Sequence, residues 1–525
     1  MSWLLDPNYA DDIQHAVAWI LAVGLLCTAV LHGRPWLEGA VLRRTALTAL
    51  VACALLAAWA NFFLARNNGA WIHRWDLFHT VIGAKYFPEL GYDHLYDCAY
   101  VLAKREHPNA FHRVDKIRDL STLKYVKAKK VLETSDCTQR FTPERARSFV
   151  DDVYAFGELG LKKRWHEAFK DKGYNGTPFY TLLARSIVND VPIAYGPMLG
   201  LALIDVSLLI GALVVLGLTR GWPTAFLALA ILATCFPGRF VHMGGSFLRF
   251  DYLAALIAGL CALASKRPAI AGALLAYATL IRAFPAFFVL GVLIAYAAQS
   301  WQARKLSSEA VRFCSGGLAA TLVLGGATFV LADGWRDWSL WWTELQSHTR
   351  YSAAFRVGFK HMFMLDGNLT SDEGFVQYPD KAAFFQDRRA FYYLGALALL
   401  APLLARARRW DPVTFSALFG VTAFFIAVIA TRYYYAALVL PLLADPRTLG
   451  ERAYGAMAGL LALASAVTYA IANVNRHAAF LYNTVVTTAL TLLAAALAAY
   501  CVRQLRKENR HIELATDAIR SSADA

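Results

Sequence analysis

The chain has 525 residues, of which 58% are hydrophobic and only 17% charged, and it carries a formal net charge of +14. A soluble chain has about a quarter charged residues, and this composition also excludes disorder, collagen and small disulfide scaffolds. The sequence reads as an all-α polytopic membrane protein, so its positive charge asks first which side of the membrane holds it.

A span takes roughly 20 mostly apolar residues. About thirteen segments qualify, several of them short: 14–31, 45–64, 195–218, 222–236, 247–264, 268–281, 284–298, 313–332, 390–405, 413–431, 433–444, 453–472 and 478–502. They are predicted to be helices, because lipid offers backbone N–H and C=O groups no partner. One set of short loops holds fourteen Lys and Arg, whereas the alternate set holds five: Arg239, Arg249, Arg282, Arg432 and Arg476. The positive-inside rule makes the richer set cytoplasmic, with the N-terminus outside and the C-terminus in the cytoplasm. A basic stretch is missing before the first span, so it does not read as a cleaved signal peptide.

The predicted organisation is two spans over 1–64, a large outer loop over 65–194, spans three to eight over 195–332, a second outer loop over 333–389, spans nine to thirteen over 390–502, and a cytoplasmic tail over 503–525. No internal repeat of the kind that marks many transporters is evident. The mass outside the bilayer lies on one face, which points to chemistry or docking there.

In the first outer loop, 76–87 is expected to form a short helix at the membrane surface, capped by Asp76, with His79 one turn on. Pro88 would end it and Gly91 would turn the chain, after which Asp93 or Asp97 would cap a helix through Leu102. Arg74 lies just before the first of these helices and Lys85 within it. The stretch from His107 to Lys172 reads as soluble helical hairpins, including a helix capped by Thr142 with Pro143 at its first position and Phe149, Val153 and Phe156 on its apolar face. The basic run from Lys124 to Lys130 reads as a solvated helix face, and nucleic acid is not expected on this side. Six cysteines fall in spans, leaving Cys98 and Cys137 in the outer loop. Either these are unrelated thiols or they form a disulfide; an oxidising outer compartment and the lack of a competing outer cysteine favour the bridge.

The outer ends of later spans are unusually polar. The fourth and fifth are joined by a segment carrying Arg239, His242, Arg249 and Asp251; Arg282 sits in the turn between the sixth and seventh; Arg432 joins the tenth and eleventh; Arg476 and His477 join the last two. A lone arginine at a span end ordinarily snorkels to the headgroups, and an aspartate at a loop start ordinarily caps a helix. Five arginines on the disfavoured side, in very short turns, instead describe a site for an anion such as a lipid phosphate. Asp205 lies inside the third span and is expected to pair with one of these cations, Arg249 among them. In the second outer loop Trp335, Trp338, Trp341 and Trp342 recur with Leu345 at helical spacing, predicting an interfacial helix with its aromatic side in the headgroups. Arg356, Lys360, His361 and Asp366 follow it.

The stretch from Trp75 to Tyr96, WDLFHTVIGAKYFPELGYDHLY, and the stretch GALLAYATLIRAFPAFFVLGVLIAYA from Gly272 to Ala297 resemble the GT-C superfamily of polytopic glycosyltransferases, in particular the bacterial polyprenyl-phosphate-mannose-dependent mannosyltransferase-like group. The matching positions are Asp76, Gly83, Gly91 and Tyr96, then Arg282 and Pro285. The likeness covers the transmembrane layout and these two motifs, but not the insertion from about His107 to Asn189. It departs from the group's pattern in an extra first span, in Arg282 where Lys is common, and in the length of the outer loop.

The resemblance implies a multi-pass enzyme of a bacterial cytoplasmic (inner) membrane that moves a sugar from a polyprenyl-phosphate donor to an acceptor hydroxyl on a glycan or lipid, at the outer face. Asp76, helped by His79, would take the hydroxyl proton. Arg282 first, then Arg432 and His242, would stabilise the leaving phosphate, with Arg74, Lys85, Arg249, Asp251, His361 and His477 completing the candidate binding set. No cofactor is expected. Neither a P-loop nor a dinucleotide fingerprint is evident, and Asp151 and Asp152 lie in a predicted soluble helix away from any metal site, so inversion without a metal is the simplest expectation. The rival classes are a lipid or solute transporter or flippase, and a non-catalytic membrane assembly subunit.

Overall fold

The computed structural model describes residues 6–34, 39–66, 69–111, 113–350, 355–364, 379–474 and 479–523. The predicted apolar segments are helical over most of their described lengths. Among the described residues, seven helices are long and apolar enough to cross a membrane: Pro7–Val30, Ala40–Leu64, Tyr195–Arg220, Ala286–Ala303, Ser308–Leu331, Glu451–Val474 and Phe480–His511. Four apolar helices are shorter, namely Trp222–Thr234, Asp251–Ala264, Pro268–Ile281 and Pro412–Ala427. At 1.5 Å per residue, a helix of about 14 residues reaches roughly 21 Å, short of a hydrocarbon core about 30 Å thick. The segment 390–405 falls at the end of helix Pro379–Leu404, and 433–444 forms a 3-10 helix, Arg432–Leu443.

Length and position go together. Helix Pro412–Ala427 buries nearly every residue from Val413 to Ile426, and Asp251–Ala264 buries most of its length. Helix Ser308–Leu331, in contrast, exposes Leu322, Val323, Val330 and Leu331. Pro412–Ala427 and Asp251–Ala264 are therefore enclosed by protein, whereas Ser308–Leu331 presents an apolar outer surface of the kind lipid covers. Small residues set the closest approaches. A Cβ placed on Gly272 would strike the Phe313 carbonyl, and one on Gly316 the Ala269 carbonyl, so Pro268–Ile281 and Ser308–Ala320 pack backbone to backbone.

The segment 65–194, predicted as the first outer loop, folds over the ends of these helices. A helical stretch from Arg74 to Lys85 is followed by helices Leu95–Glu106, Pro143–Phe156 and Pro178–Val188. Thr142 caps Pro143–Phe156 through a bond from the Arg145 N–H, and Phe149, Val153 and Phe156 are buried, as their spacing predicts. Three expectations need correction. His73, not Asp76, caps the first helix, its Nδ1 accepting the Asp76 N–H at 3.1 Å. That stretch does not lie on a surface: Leu77, Phe78, Val81 and Ile82 are fully buried because the insertion packs on them, with Trp165 set edge-on to Phe78 at 5.0 Å. Neither Asp93 nor Asp97 caps Leu95–Glu106, where His94 holds the cap position without a side-chain bond.

The basic run is solvated but only partly helical. Tyr125–Lys127 is a strand paired antiparallel with Lys116–Arg118, and helix Ala128–Thr134 follows. A fixed bend between strand and helix keeps Lys124, Lys127, Lys129 and Lys130 exposed in both.

Cys98 and Cys137 are joined by a disulfide, with Cα atoms 5.1 Å apart, which ties helix Leu95–Glu106 to the turn before Pro143–Phe156. A cross-link of this span contributes about 2–4 kcal/mol. Mass analysis of protein isolated without reductant is expected to find the two peptides linked, and Cys98→Ser is expected to lower the unfolding temperature. Free, alkylatable thiols at both positions would rule the bridge out.

The segment predicted as the second outer loop begins with helix Gly334–Arg350. Its tryptophans do not share one environment. Trp335 and Trp342 are exposed, whereas the Trp338 Nε1 donates to Thr328 Oγ1 at 3.0 Å and Trp341 points inward with Leu345. The stripe is wide enough for one edge to face lipid while the other faces protein. Downstream, Arg356–Val357 pairs antiparallel with Ala430–Thr431, setting Arg356 opposite Thr431.

Candidate active site

Two adjoining cavities lie between the insertion within 65–194 and the helix ends. The first, about 530 Å³, is polar, and its wall includes Asp76, His79, Asp171, Lys172, His242, Arg249, Arg356 and Arg432. The second, about 370 Å³, is mainly apolar, with Phe284, Phe287, Trp341, Leu345, Phe424 and Val428 around Arg282. Asn175, Arg356, Thr431 and Tyr433 belong to both walls. Asp76 and Arg282 thus open into neighbouring chambers that share a partition.

Asp76 is buried and tightly held. Arg249 grips it bidentately, Nε to Oδ2 at 2.7 Å and an Nη to Oδ1 at 2.5 Å, and the Ser246 hydroxyl donates to Oδ2. Burial alone would raise the carboxyl's pKa, but the Arg249 charge and its hydrogen bonds outweigh that and hold it well below the usual carboxylate range. The backbone fixes the pairing from both sides. The His73 N–H donates to the Gly245 carbonyl at 2.7 Å, and Gly245 has φ +73 with no room for a Cβ beside the Trp71 carbonyl. Only glycine permits that approach.

Asp205 lies beneath Arg249 but does not meet its guanidinium. Its two oxygens accept the backbone N–H groups of Arg249 and Phe250 at 2.7 and 3.2 Å, just before helix Asp251–Ala264. The predicted pairing with a side-chain cation is therefore replaced by satisfaction of helix-start donors, which otherwise have no partner inside the protein.

His79 accepts or donates at Nε2 with the Tyr96 hydroxyl at 2.7 Å and faces Asp171 from Nδ1 at 3.8 Å. Asp171 also accepts from Trp75 Nε1 at 2.9 Å. Burial pushes the His79 pKa below its ordinary value, and the Asp171 charge offsets part of that shift. His242 Nδ1 meets an Arg432 Nη at 3.1 Å, and a second Arg432 Nη donates to the Tyr482 hydroxyl at 3.2 Å. Arg282 lies over the Tyr180 ring and donates to the Ile281 and Leu248 carbonyls, while its Nε is buried without a partner.

Other candidates lie elsewhere. Lys85 pairs with Asp152 at 2.9 Å, and Asp152 also accepts the Tyr86 hydroxyl, so Lys85 locks the insertion and lines neither cavity. Arg74 packs against Gly160, outside both walls. Asp251 accepts the Tyr277 hydroxyl at 3.0 Å and faces a separate apolar pocket with Ser207. His361 is fully buried against Phe480 and bonded to Thr484 at 3.0 Å. Arg239 is drawn off by Asp11 at 2.8 Å. His477, Arg476 and Asp366 lie outside the described residues.

Ser246, Asp171, Lys172, Asn175 and Tyr433 join the site without having been expected there. Asp171, Lys172 and Asn175 lie in the aromatic run from Trp165 to Tyr180 inside the insertion, a signal that could have marked this part of the wall. His94, Asp97 and Cys98 also cluster, but Cys98 Sγ is bonded to Cys137 and is no thiolate ligand.

No family model matches the chain, and no curated protein or solved structure matches it either.

Proposed function

We propose that the protein is a membrane glycosyltransferase that moves a sugar from a polyprenyl-phosphate donor to an acceptor hydroxyl at the outer face of a bacterial inner membrane. The observation that carries this reading is the pair of chambers. A lipid-linked anionic donor needs an apolar slot for its tail, cations at the junction, and a polar space holding a carboxylate for the sugar and acceptor. The apolar cavity around Arg282, the partition with Arg356 and Tyr433, and the polar cavity around Asp76 stand in that order.

In this reading the acceptor hydroxyl takes the place of the Ser246 hydroxyl at Asp76 Oδ2. The hydroxyl oxygen bonds to the anomeric carbon while the bond from that carbon to the phosphate oxygen breaks. A carboxylate held at such low pKa is a weak base. It takes the proton late, from an oxygen already made acidic by the forming bond. Arg282, Arg432 and His242 face the charge that grows on the phosphate.

The proposed layout assigns its crossings to the seven long helices and, beyond them, to the four shorter apolar helices, Pro379–Leu404 and Arg432–Leu443. The disulfide supports placing the insertion in an oxidising compartment, outside the cytoplasm.

The test is direct. Purified protein in proteoliposomes, given a radiolabelled sugar on a polyprenyl phosphate and a membrane glycolipid extract, is expected to release polyprenyl phosphate and label an acceptor. Movement of the intact donor between leaflets, with no release of polyprenyl phosphate, would replace this reading with a flippase.

A further inference from the structure

The disulfide sits among other groups that can ligate a metal. His94, Asp97 and Cys98 stand at positions i, i+3 and i+4 at the start of helix Leu95–Glu106, so they share one face. One ligand atom from each lies within 4.8 Å of the others. His94 Nδ1 is 3.0 Å from Asp97 Oδ2, a gap that zinc bonds of roughly 2.0–2.2 Å to nitrogen and oxygen can bridge. Cys137 Sγ approaches the same Oδ2 at 3.6 Å from the neighbouring turn. The carboxylate is itself oriented. Its Oδ1 accepts the Cys98 N–H at 2.9 Å, and the Ser135 hydroxyl donates to Oδ2 at 3.4 Å. Hydrogen bonds of this kind hold ligands in place around a metal.

Two sulfurs, an imidazole nitrogen and a carboxylate oxygen are a donor set suited to tetrahedral zinc. In the bridged protein the sulfurs are bonded to each other and offer no thiolate. A newly made chain carries them as thiols, and the dithiol makes both available.

We infer that the dithiol form of the protein binds one zinc ion between His94, Asp97, Cys98 and Cys137, so that metal and disulfide are alternative ways of closing the same link. Zinc takes the sulfurs as thiolates, and two protons leave. Exchange with an external disulfide then forms the bridge and expels the ion. The external disulfide gains two electrons and two protons and becomes a dithiol.

The link bears on the candidate site. Tyr96, in the same helical turn, bonds His79 Nε2 at 2.7 Å and accepts the Gly173 N–H at 3.0 Å on the wall of the polar cavity. Metal or bridge thus fixes the helix that carries Tyr96, while the four ligands stand outside both cavity walls. Neither the zinc site nor its test depends on the glycosyl-transfer reading.

Zinc titration of the full-length protein in detergent, in competition with a chromophoric chelator, tests this. Two forms are compared: protein as isolated, and protein treated with a water-soluble phosphine until two further thiols can be alkylated. The phosphine leaves as its oxide, with oxygen from water, and the thiols take the two protons. The isolated form serves as the blank, because it retains the six unbridged cysteines. The reduced form is expected to bind one more ion per chain, and zinc is expected to raise the unfolding temperature of that form alone. Cobalt in place of zinc should show the absorption of a tetrahedral site with thiolate ligands.

His94→Ala and Asp97→Asn leave every cysteine in place, and both side chains are partly exposed, at 30% and 23%. Losing a group that only hydrogen-bonds a ligand costs about 10–100-fold in metal affinity, so losing a ligand is expected to cost at least that much. Three results would overturn the inference. Equal zinc uptake by both forms would place the ion on other thiols. A reduced form that takes no additional ion would leave the disulfide as the link's one state. Wild-type affinity in both variants would reduce the site to a pair of cysteines.

Discussion

Asp76→Asn is expected to abolish most transfer and to weaken the fold at the same time. Loss of a general base costs about 10²–10⁴-fold in rate. The structure adds a second cost, because the same carboxylate neutralises Arg249, only 6% exposed. Breaking one side of a buried ion pair typically destabilises by about 3–5 kcal/mol; Asn should fall at the lower end, as its amide oxygen still accepts one hydrogen bond. A helix-cap explanation of Asp76 is removed by His73, which holds that position. The rival to catalysis is now the ion pair itself.

The double variant Asp76→Asn with Arg249→Met separates the two. Removing both charges together should recover much of the lost stability, because no buried charge is left unmatched. It should recover none of the rate. Unfolding temperatures and transfer rates per folded molecule, measured in one membrane mimetic, decide between them. Recovery of both would make Asp76 structural. The pair also sets an acid limit. The Asp76 pKa is depressed in the folded protein, so its contribution is complete above the unfolded carboxylate value of about 3.9 and is lost as pH falls below that.

Filling the apolar cavity is expected to have an effect of similar size without touching any charge. Ala286 lines that cavity at an exposed position. An indole there meets no packed core, so Ala286→Trp should fold normally while occupying the space proposed for the lipid tail. Transfer from a long-chain donor is expected to fall by about a hundredfold or more, as misplacement of a reacting group by an ångström can do. A donor with a truncated tail should be affected much less. Equal rates for wild type and variant with the long-chain donor would show that the tail does not lie in this cavity.

Much of the fold was legible because its signals are local. An apolar run forces a helix wherever it occurs, and the Thr142 and Pro143 start signal needs only its next few residues to act. Cys98 and Cys137 could be paired because the other six cysteines fall in apolar segments. Even here local signals had limits. The tryptophan run specified a helix, but which edge turned inward was set by the cavity it packs on. The length of Pro412–Ala427 makes sense only once neighbours are seen to enclose it.

The candidate site was legible as a list of residues and not as an arrangement. Asp76 and Arg249 are 173 positions apart, and only packing joins them. Sequence offered Asp205 as a partner for a cation; burial instead gave it two backbone N–H groups, because donors at a helix start need an acceptor wherever water is excluded. Lys85 looked like a phosphate ligand until the insertion brought Asp152 to it. Lys172, in contrast, drew no notice in a segment rich in lysine, and became distinctive only when the fold left its ammonium buried and unmatched. Composition and periodicity determine which segments leave water, since that depends on each segment's own transfer free energy. Which charges meet inside depends on distances between segments far apart in the chain, and those were decided by the tertiary structure.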